Sequence, residues 1–201
     1  MAIAIVCRVT APRLKRMQIE FLKRPTFSVP HLVQFMDTIV LPRFNCSATI
    51  RVADKEIIVG AYPYPDTRYA FRVSVREGDL DWQVSSMAQI LNPLSQVFSP
   101  VERLTLRREG SQEHNEVDRI EWRRLLRPFK NVKILRVEDV LIKELSHCLR
   151  SDDGELPLEL FPELQELTYY ASGDTTSDAF TSFIEDRQNA GRPVTLIRRD
   201  P

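Results

Sequence analysis

Apolar residues recur along the second half of this chain with a step of about thirty residues. The repeated pattern is a phenylalanine, two residues, valine or leucine, two residues, leucine, one residue, and a further apolar residue. Three copies keep this pattern, and they begin at Phe98, Phe129 and Phe161. Their spacing, from 98 to 129 and from 129 to 161, is 31 and then 32 residues. A regular step of this length is typical of proteins built from stacked structural repeats.

Weaker copies extend the pattern in both directions. Toward the C-terminus it is reduced to Val194-Thr-Leu196, which predicts a final strand. Toward the N-terminus, three frames keep part of the pattern at the following residues: Leu14, Met17, Ile19, Phe44, Ser47, Ile50, Val52, Arg68, Phe71 and Val73.

The phenylalanine positions of the second and third of these frames, residues 44 and 65, are only 21 residues apart, which breaks the regular step. Within this interval, Ile57-Ile-Val59 predicts an extra strand, and Tyr62-Pro-Tyr-Pro65 predicts a turn stiffened by proline. We therefore expect a hairpin to replace the helix of this unit. The two tyrosines of the turn could form a docking lip, although an ordinary extended loop is favoured.

The pattern has a direct structural meaning. Its last two apolar residues point to one face of a strand, because successive side chains alternate. The earlier apolar residue enters the same core from the turn before the strand, and the phenylalanine closes the layer between neighbouring units. A single unit cannot bury its own apolar face, so the units must stack.

Helical stripes separate the predicted strands. Apolar residues at helical spacing predict helices over 32–39, 82–98 with an interruption near Asn92-Pro93, 122–129, 141–149 and 180–184. Asp139 is expected to cap the fourth helix, and residues 151–154 to terminate it. Ser177 or Asp178 is expected to cap the last helix, and Gly191 to stop it.

The sequence therefore predicts an α/β fold of one domain spanning residues 1–201, with weak repeats over 1–97 and clear repeats over 98–201. Its expected form is an irregular leucine-rich-repeat-like solenoid, in which a curved, mostly parallel sheet carries helices on its convex side.

Charge and composition narrow the class of partner. Lys plus Arg and Asp plus Glu both total 28, so the net charge is zero. A nucleic-acid binder needs a basic field, and an anionic membrane also attracts basic segments, so neither partner is expected. The apolar patch Ile3–Cys7 is far too short to span a bilayer. Three scattered cysteines fit a reducing compartment, and we expect an intracellular protein, cytoplasmic or nuclear.

The residues that catalysis would require do not cluster in the sequence. Six dispersed glycines build no phosphate-binding loop. His31, His114 and His147 lie far apart, and the acidic run 152–155 has the wrong spacing for a calcium loop. Cys148, like the other cysteines, is expected in the core, and so are Trp122 and Phe129. We predict no cofactor, no metal site and no enzymatic activity.

The strand positions between the core residues are the candidate binding surface. One predicted column holds Gln18, Arg51, Arg72, Thr105, Arg136 and Thr168, and the next holds Glu20, Ala53, Ser74, Arg107, Glu138 and Tyr170. From these we select eight candidate protein-binding residues: Arg51, Arg72, Thr105, Arg107, Arg136, Glu138, Thr168 and Tyr170. Three arginines in one column favour a partner with acidic groups or a C-terminal carboxylate. The alternative is that they are ordinary exposed strand residues paired with glutamates.

Residues 101–199 resemble the C-terminal part of the F-box and leucine-rich-repeat-like proteins of mushroom-forming fungi. The segments that carry the resemblance include Glu121-Trp-Arg-Arg-Leu-Leu126, Leu145-Ser-His-Cys-Leu149 and Arg187-Gln-Asn-Ala-Gly-Arg-Pro193. The others are Glu116-Val-Asp-Arg119, Phe129-Lys-Asn-Val-Lys-Ile-Leu-Arg-Val137, Asp152-Asp-Gly-Glu155, Leu164-Gln-Glu-Leu167, Phe180 and Phe183. The first half of the chain shares only the repeat pattern.

This resemblance implies a recognition arc that presents targets to a cullin-type ubiquitin ligase. In such proteins an N-terminal F-box docks on the ligase adaptor, whereas here the first repeat begins by Leu14. Adaptor binding is therefore expected only if an F-box lies upstream. The interaction module is the favoured hypothesis. A truncated or decayed paralogue without defined activity and an enzyme of unfamiliar type are the alternatives.

Overall fold

Eight strands form one sheet in the part of the chain that the computed structural model describes, namely residues 17–22, 46–63, 71–109, 118–138, 141–150, 160–170 and 179–199. The strands are β1 (Met17–Leu22), β2 (Cys46–Ala53), β3 (Glu56–Pro63), β4 (Phe71–Arg76), β5 (Val101–Glu109), β6 (Ile134–Glu138), β7 (Glu166–Tyr170) and β8 (Thr195–Arg199). The helices described are α1 (Leu80–Leu91), α2 (Ser95–Phe98), α3 (Arg119–Leu126), α4 (Ile142–Leu149) and α5 (Thr181–Asn189). The predicted α/β class is confirmed.

The sheet is mostly parallel. Its strand order is β1-β4-β3-β2-β5-β6-β7-β8, and only β3 runs antiparallel to its neighbours. The order ends in β1 on one side and β8 on the other, so the sheet is open rather than closed into a barrel.

The second half of the sheet stacks as the repeat pattern predicts. Strands β5 to β8 lie side by side in chain order, and a helix separates each from the next. Backbone hydrogen bonds link each unit to the next: Lys133 N–H to Glu102 O at 2.8 Å, Gln165 N–H to Lys133 O at 2.9 Å, and Thr195 N–H to Gln165 O at 2.8 Å. The first two bonds join equivalent residues of successive units, whereas at the last step the donor is one residue further along, since Thr195 lies opposite Glu166.

The first half departs from serial stacking. The expected hairpin is present, since β2 turns through Asp54 and Lys55 into the antiparallel β3. A turn this short can only return the chain antiparallel. In the sheet, β3 and then β4 lie on the side of β2 away from β5. Strand β1 pairs with β4 and not with β2, the next strand along the chain.

Buried side chains of the strands and helices form one hydrophobic cluster. Phe98 packs between Phe71 and Phe129, with ring centroids 5.7 and 5.1 Å away. Phe98, Phe129 and Phe161 are all fully buried, in line with the role predicted for the phenylalanine of each copy. Helix α1 contacts β3, β4 and α3, which places the helical layer against one face of the sheet.

Local chemistry explains where α1 begins and ends. At its start, the Asp79 carboxylate accepts from Trp82 N–H at 2.8 Å. Before this cap, Gly78 has φ +85°, and a Cβ at that position would clash with the Trp82 ring. The predicted interruption at Asn92-Pro93 falls between α1 and α2, because Pro93 has no backbone N–H to continue the hydrogen-bond ladder.

The remaining helix predictions are partly confirmed. Leu141, Leu145, Cys148 and Leu149 are all buried, as the stripe of α4 predicts. Gly191 follows α5 with φ +72°, as expected of a residue that stops a helix. The predicted helix over 32–39, the caps Asp139, Ser177 and Asp178, and the terminator 151–154 lie outside the described residues.

Candidate interaction surface

The sheet face opposite the helices carries the predicted binding residues, and we call it the open face. On β5, β6 and β7 the predicted neighbours lie side by side, although Thr168 is buried. Thr105 is paired in register with Arg136, and Arg136 with Thr168. One step further along the strands, Arg107 Nε lies 3.0 Å from Glu138 Oε1.

The register extends these positions into two rows across the sheet. The inner row is Gln18, Arg72, Gly60, Thr49, Thr105, Arg136, Thr168 and Ile197. The outer row is Glu20, Ser74, Ile58, Arg51, Arg107, Glu138, Tyr170 and Arg199.

Arg51 does not lie in the predicted column. It faces Arg107 in the outer row, and Thr49 takes the place beside Thr105. Ala53 is likewise displaced, because it pairs with Glu109. The predicted frame of β2 is wrong by two residues, and a shift of two keeps every side chain on the same face. Arg51 therefore stays on the open face, but it is not in one column with Arg72 and Arg136.

Five residues of these rows are missing from the sequence prediction, and one of them is Thr49, which the shift of β2 brings into the inner row. Ile58 and Gly60 come from β3, which the sequence indicates as a strand without indicating its neighbours. Ile197 and Arg199 come from β8, and counting one and three residues on from Leu196 in the repeat frame would have found them.

Charged residues at the edge of the outer row form a chain across five strands, which we call the ion chain. Arg76 lies 2.7 Å from Glu20 and 3.0 Å from Glu56. Arg51 lies 3.5 Å from Glu56 and 3.1 Å from Glu109. The hydrogen bond from Arg76 to Glu56, followed by the charge of Glu20, raises the pKa of Arg76. For Arg51 this geometry matches the alternative of a strand residue paired with glutamates.

Replacing Glu56 with glutamine is expected to lower the free energy of unfolding by at most about 1 kcal/mol, because partly exposed ion pairs are screened by water and salt. The loss should shrink further in 1 M NaCl. Urea denaturation at low and high salt measures it, with Glu185→Gln, an exposed carboxylate on α5 away from the ion chain, as the control. A loss that is equal at both salt concentrations would contradict an electrostatic role.

The open face differs between its two halves in how its charges are paired. In the described residues of β6 and β8, Arg136 and Arg199 are exposed and carry no ion pair. Between them, Thr168 is buried and its hydroxyl donates to Glu166 Oε1 at 3.0 Å, while Tyr170 and Ile197 are half-buried.

Tyr62 lies in a strand, and the expectation of an ordinary extended loop is wrong for this residue. It belongs to β3 on the open face, and its hydroxyl is 3.2 Å from the Thr49 hydroxyl. Tyr64, the second tyrosine of the possible docking lip, lies outside the described residues.

Of the side chains considered for catalysis or metal binding, His147 and Cys148 lie in the described part of the chain. Cys148 is buried, whereas the adjacent His147 is exposed, so the two do not share a site. Trp122 and Phe129 are both buried in the core, as predicted. Within the described residues, no three His, Cys, Asp or Glu side chains are grouped to hold a metal ion. His31, His114 and the acidic run 152–155 lie outside that part.

Burial raises the pKa of the Cys148 thiol to about 12, although Arg123 and Arg119 act in the opposite direction. The thiol is therefore neutral at pH 8, and we expect iodoacetamide to label Cys148 much more slowly in the native protein than in urea. Peptide-resolved mass spectrometry separates it from the other cysteines. Rapid native labelling would contradict this burial.

The thiol of the unfolded chain ionises near its ordinary pKa of 9.0. The contribution of the buried, neutral Cys148 thiol to the free energy of unfolding should therefore fall as pH rises from 9 toward 12.

Arg187 is a buried residue whose role the sequence did not indicate. Its guanidinium donates to the carbonyls of Phe161 at 3.1 Å and Leu164 at 2.9 Å, and also to those of Pro162 and Arg192 at 3.3 Å. Desolvation, together with the charge of Arg192, lowers its pKa, and Glu163 opposes that effect. Arg187 thus ties α5 to the turn before β7, and its role is structural.

Comparison with known proteins adds no assignment. No protein-family model, no curated protein and no solved structure significantly matches this chain. Among the described helices, none is both long enough and apolar enough to cross a membrane.

Proposed function

We propose that this chain is a non-catalytic protein–protein interaction module that binds its partner on the open face. The observation that supports this most is the register of β5 to β7, which sets Thr105 and Arg136 side by side, next to the buried Thr168, on the face that the described helices leave uncovered. A row of polar and charged side chains on rigid strands suits the recognition of another protein.

We further propose that the module is a leucine-rich-repeat-like solenoid, the recognition arc of an F-box-type ubiquitin ligase subunit. The backbone bond that joins equivalent residues at two successive steps, Glu102 to Lys133 and Lys133 to Gln165, supports the repeat architecture. The ligase role rests on the sequence resemblance alone. Binding to the ligase adaptor requires an F-box joined upstream of the repeats.

Site-specific photo-cross-linking tests the interaction module. A benzoylphenylalanine is placed at Thr105 on the open face or, as the matched control, at Lys130, which is exposed outside the sheet. In lysate of cells that express the protein, we expect Thr105 to give a defined adduct that Lys130 does not give. The adduct partner, once identified and purified, must also bind the purified chain. No adduct, or the same adducts from both positions, would overturn the proposal.

A further inference from the structure

We propose that the open face of β6 to β8 binds an acidic, extended segment of the partner through Arg136 and Arg199. This inference rests on the proposed function, and it adds the place of contact and the chemistry of the ligand.

The contrast between the two halves of the open face locates the contact. Toward β1, the guanidinium groups of Arg51 and Arg76 are already paired in the ion chain. Toward β8, Arg136 and Arg199 are exposed and, among the described residues, carry no ion pair. Arg107 lies between the two regions and is paired with Glu138. A carboxylate ligand gains most from arginines whose donors are still available.

Apolar surface lies between the two arginines. Tyr170 is next to Arg199 in the outer row, and Ile197 is next to Thr168 in the inner row. Both side chains are half-buried and so present part of their surface to solvent. Tyrosine and arginine are among the residue types enriched in side chains that dominate binding energy at protein interfaces.

The sheet geometry sets the spacing of the ligand. Arg136 and Arg199 are two strands apart and offset by two residues, because Arg136 pairs with Thr168 and Thr168 with Ile197. With about 4.8 Å between strands and about 3.3 Å per residue, their Cα atoms are roughly 12 Å apart. In an extended peptide, residues i and i+4 point to the same side about 13 Å apart. The fitting ligand therefore has two carboxylates four residues apart with an apolar residue midway.

The test uses fluorescein-labelled synthetic peptides and fluorescence anisotropy. The probe contains Glu-Ser-Leu-Ser-Glu, and the control peptide has the same composition in the order Ser-Glu-Glu-Leu-Ser, which puts the carboxylates on opposite sides. We expect the probe to bind at least about tenfold more tightly, and its affinity to fall as NaCl rises. Equal affinity of the two peptides, or no binding of the probe, would overturn the inference.

Matched variants assign the contact to the two arginines. The double variant Arg136→Gln with Arg199→Gln should bind the probe peptide roughly tenfold or more weakly. Lys130→Gln with Arg150→Gln removes the same charge outside the sheet and should leave the affinity unchanged. Equal losses in both double variants would overturn the inference. If the cross-linked adduct at Thr105 forms but the probe peptide does not bind, the acidic ligand is wrong and the proposed interaction module is retained. If no adduct forms, the proposed interaction module is itself refuted.

Discussion

Replacing Arg187 with methionine is expected to lower the free energy of unfolding by about 2–3 kcal/mol, a large effect for one residue. Methionine fills much of the space of the arginine stem but donates no hydrogen bond. The carbonyls of Phe161, Pro162 and Leu164 would lose their guanidinium donor. The Phe161 carbonyl would keep its bond from Leu164 N–H and the Pro162 carbonyl its bond from Arg192, so the largest cost falls on the Leu164 carbonyl, since a buried acceptor without a partner is desolvated without compensation. Phe161 also has φ +51°, a conformation that needs support from its surroundings.

Urea denaturation of two further variants separates this role from a general effect of charge. Arg187→Lys keeps the charge but loses the planar fork, so an intermediate loss is expected. Arg192→Met removes an exposed arginine side chain that donates to the Pro162 carbonyl, and it should cost less than about 1 kcal/mol. Similar losses for Arg187→Met and Arg192→Met would show that the carbonyl contacts of Arg187 do not hold the turn.

The second half of the fold could be predicted from the sequence because its signal there is local and repeated. Each copy combines a strand of alternating burial with a helical stripe, and the units at Phe98, Phe129 and Phe161 stack in chain order. The agreement of these copies with one another defines the frame, and with it the pairing of strands β5, β6 and β7. The same frame, carried to β8, also sets the place of Leu196 beside Leu167.

The first half was predicted less well because strand pairing there is not local. The alternation of Ile50 and Val52 shows which face is buried, but a shift of two residues leaves that alternation unchanged. The neighbour of β1 depends on where the β2–β3 hairpin places β4, which no short pattern encodes. Arg187 was missed for another reason. A charged residue in a helix is expected at the surface unless its partners are known. The partners of Arg187 are mostly backbone carbonyls more than twenty residues away in the sequence, which no local pattern indicates.

The register of β2 determines whether Arg51 is paired with glutamates of the sheet or is available to a binding partner. If the predicted register of β2 were correct, Arg51 would lie in the inner row beside Thr105 and away from Glu109. In its actual place it contacts both Glu56 and Glu109, so its charge stabilises the sheet. The acidic ligand expected for a column of three arginines is therefore proposed for Arg136 and Arg199.

Replacing Phe129 with alanine is expected to lower the free energy of unfolding by about 3–5 kcal/mol, the range for large aromatic truncations in a core. Phe129 is fully buried and its ring centroid is 5.1 Å from that of Phe98. Its loss leaves a cavity between two stacked units, and Phe98 cannot fill it without leaving Phe71.

Leu135→Ala and Leu167→Ala, in the strands of two units, should each lower the free energy of unfolding by about 2–5 kcal/mol.

Ile120→Ala is the control, because Ile120 lies on α3 near Phe129 in sequence and is 56% exposed. It should change the free energy of unfolding by less than about 0.5 kcal/mol in the same urea titration. If Phe129→Ala were as mild as Ile120→Ala, the phenylalanine of each copy would not hold neighbouring units together, and the stacking of β5 to β8 would depend on backbone pairing alone. A large loss with an unchanged urea dependence would instead show that packing between units, one layer against the next, stabilises the whole sheet cooperatively.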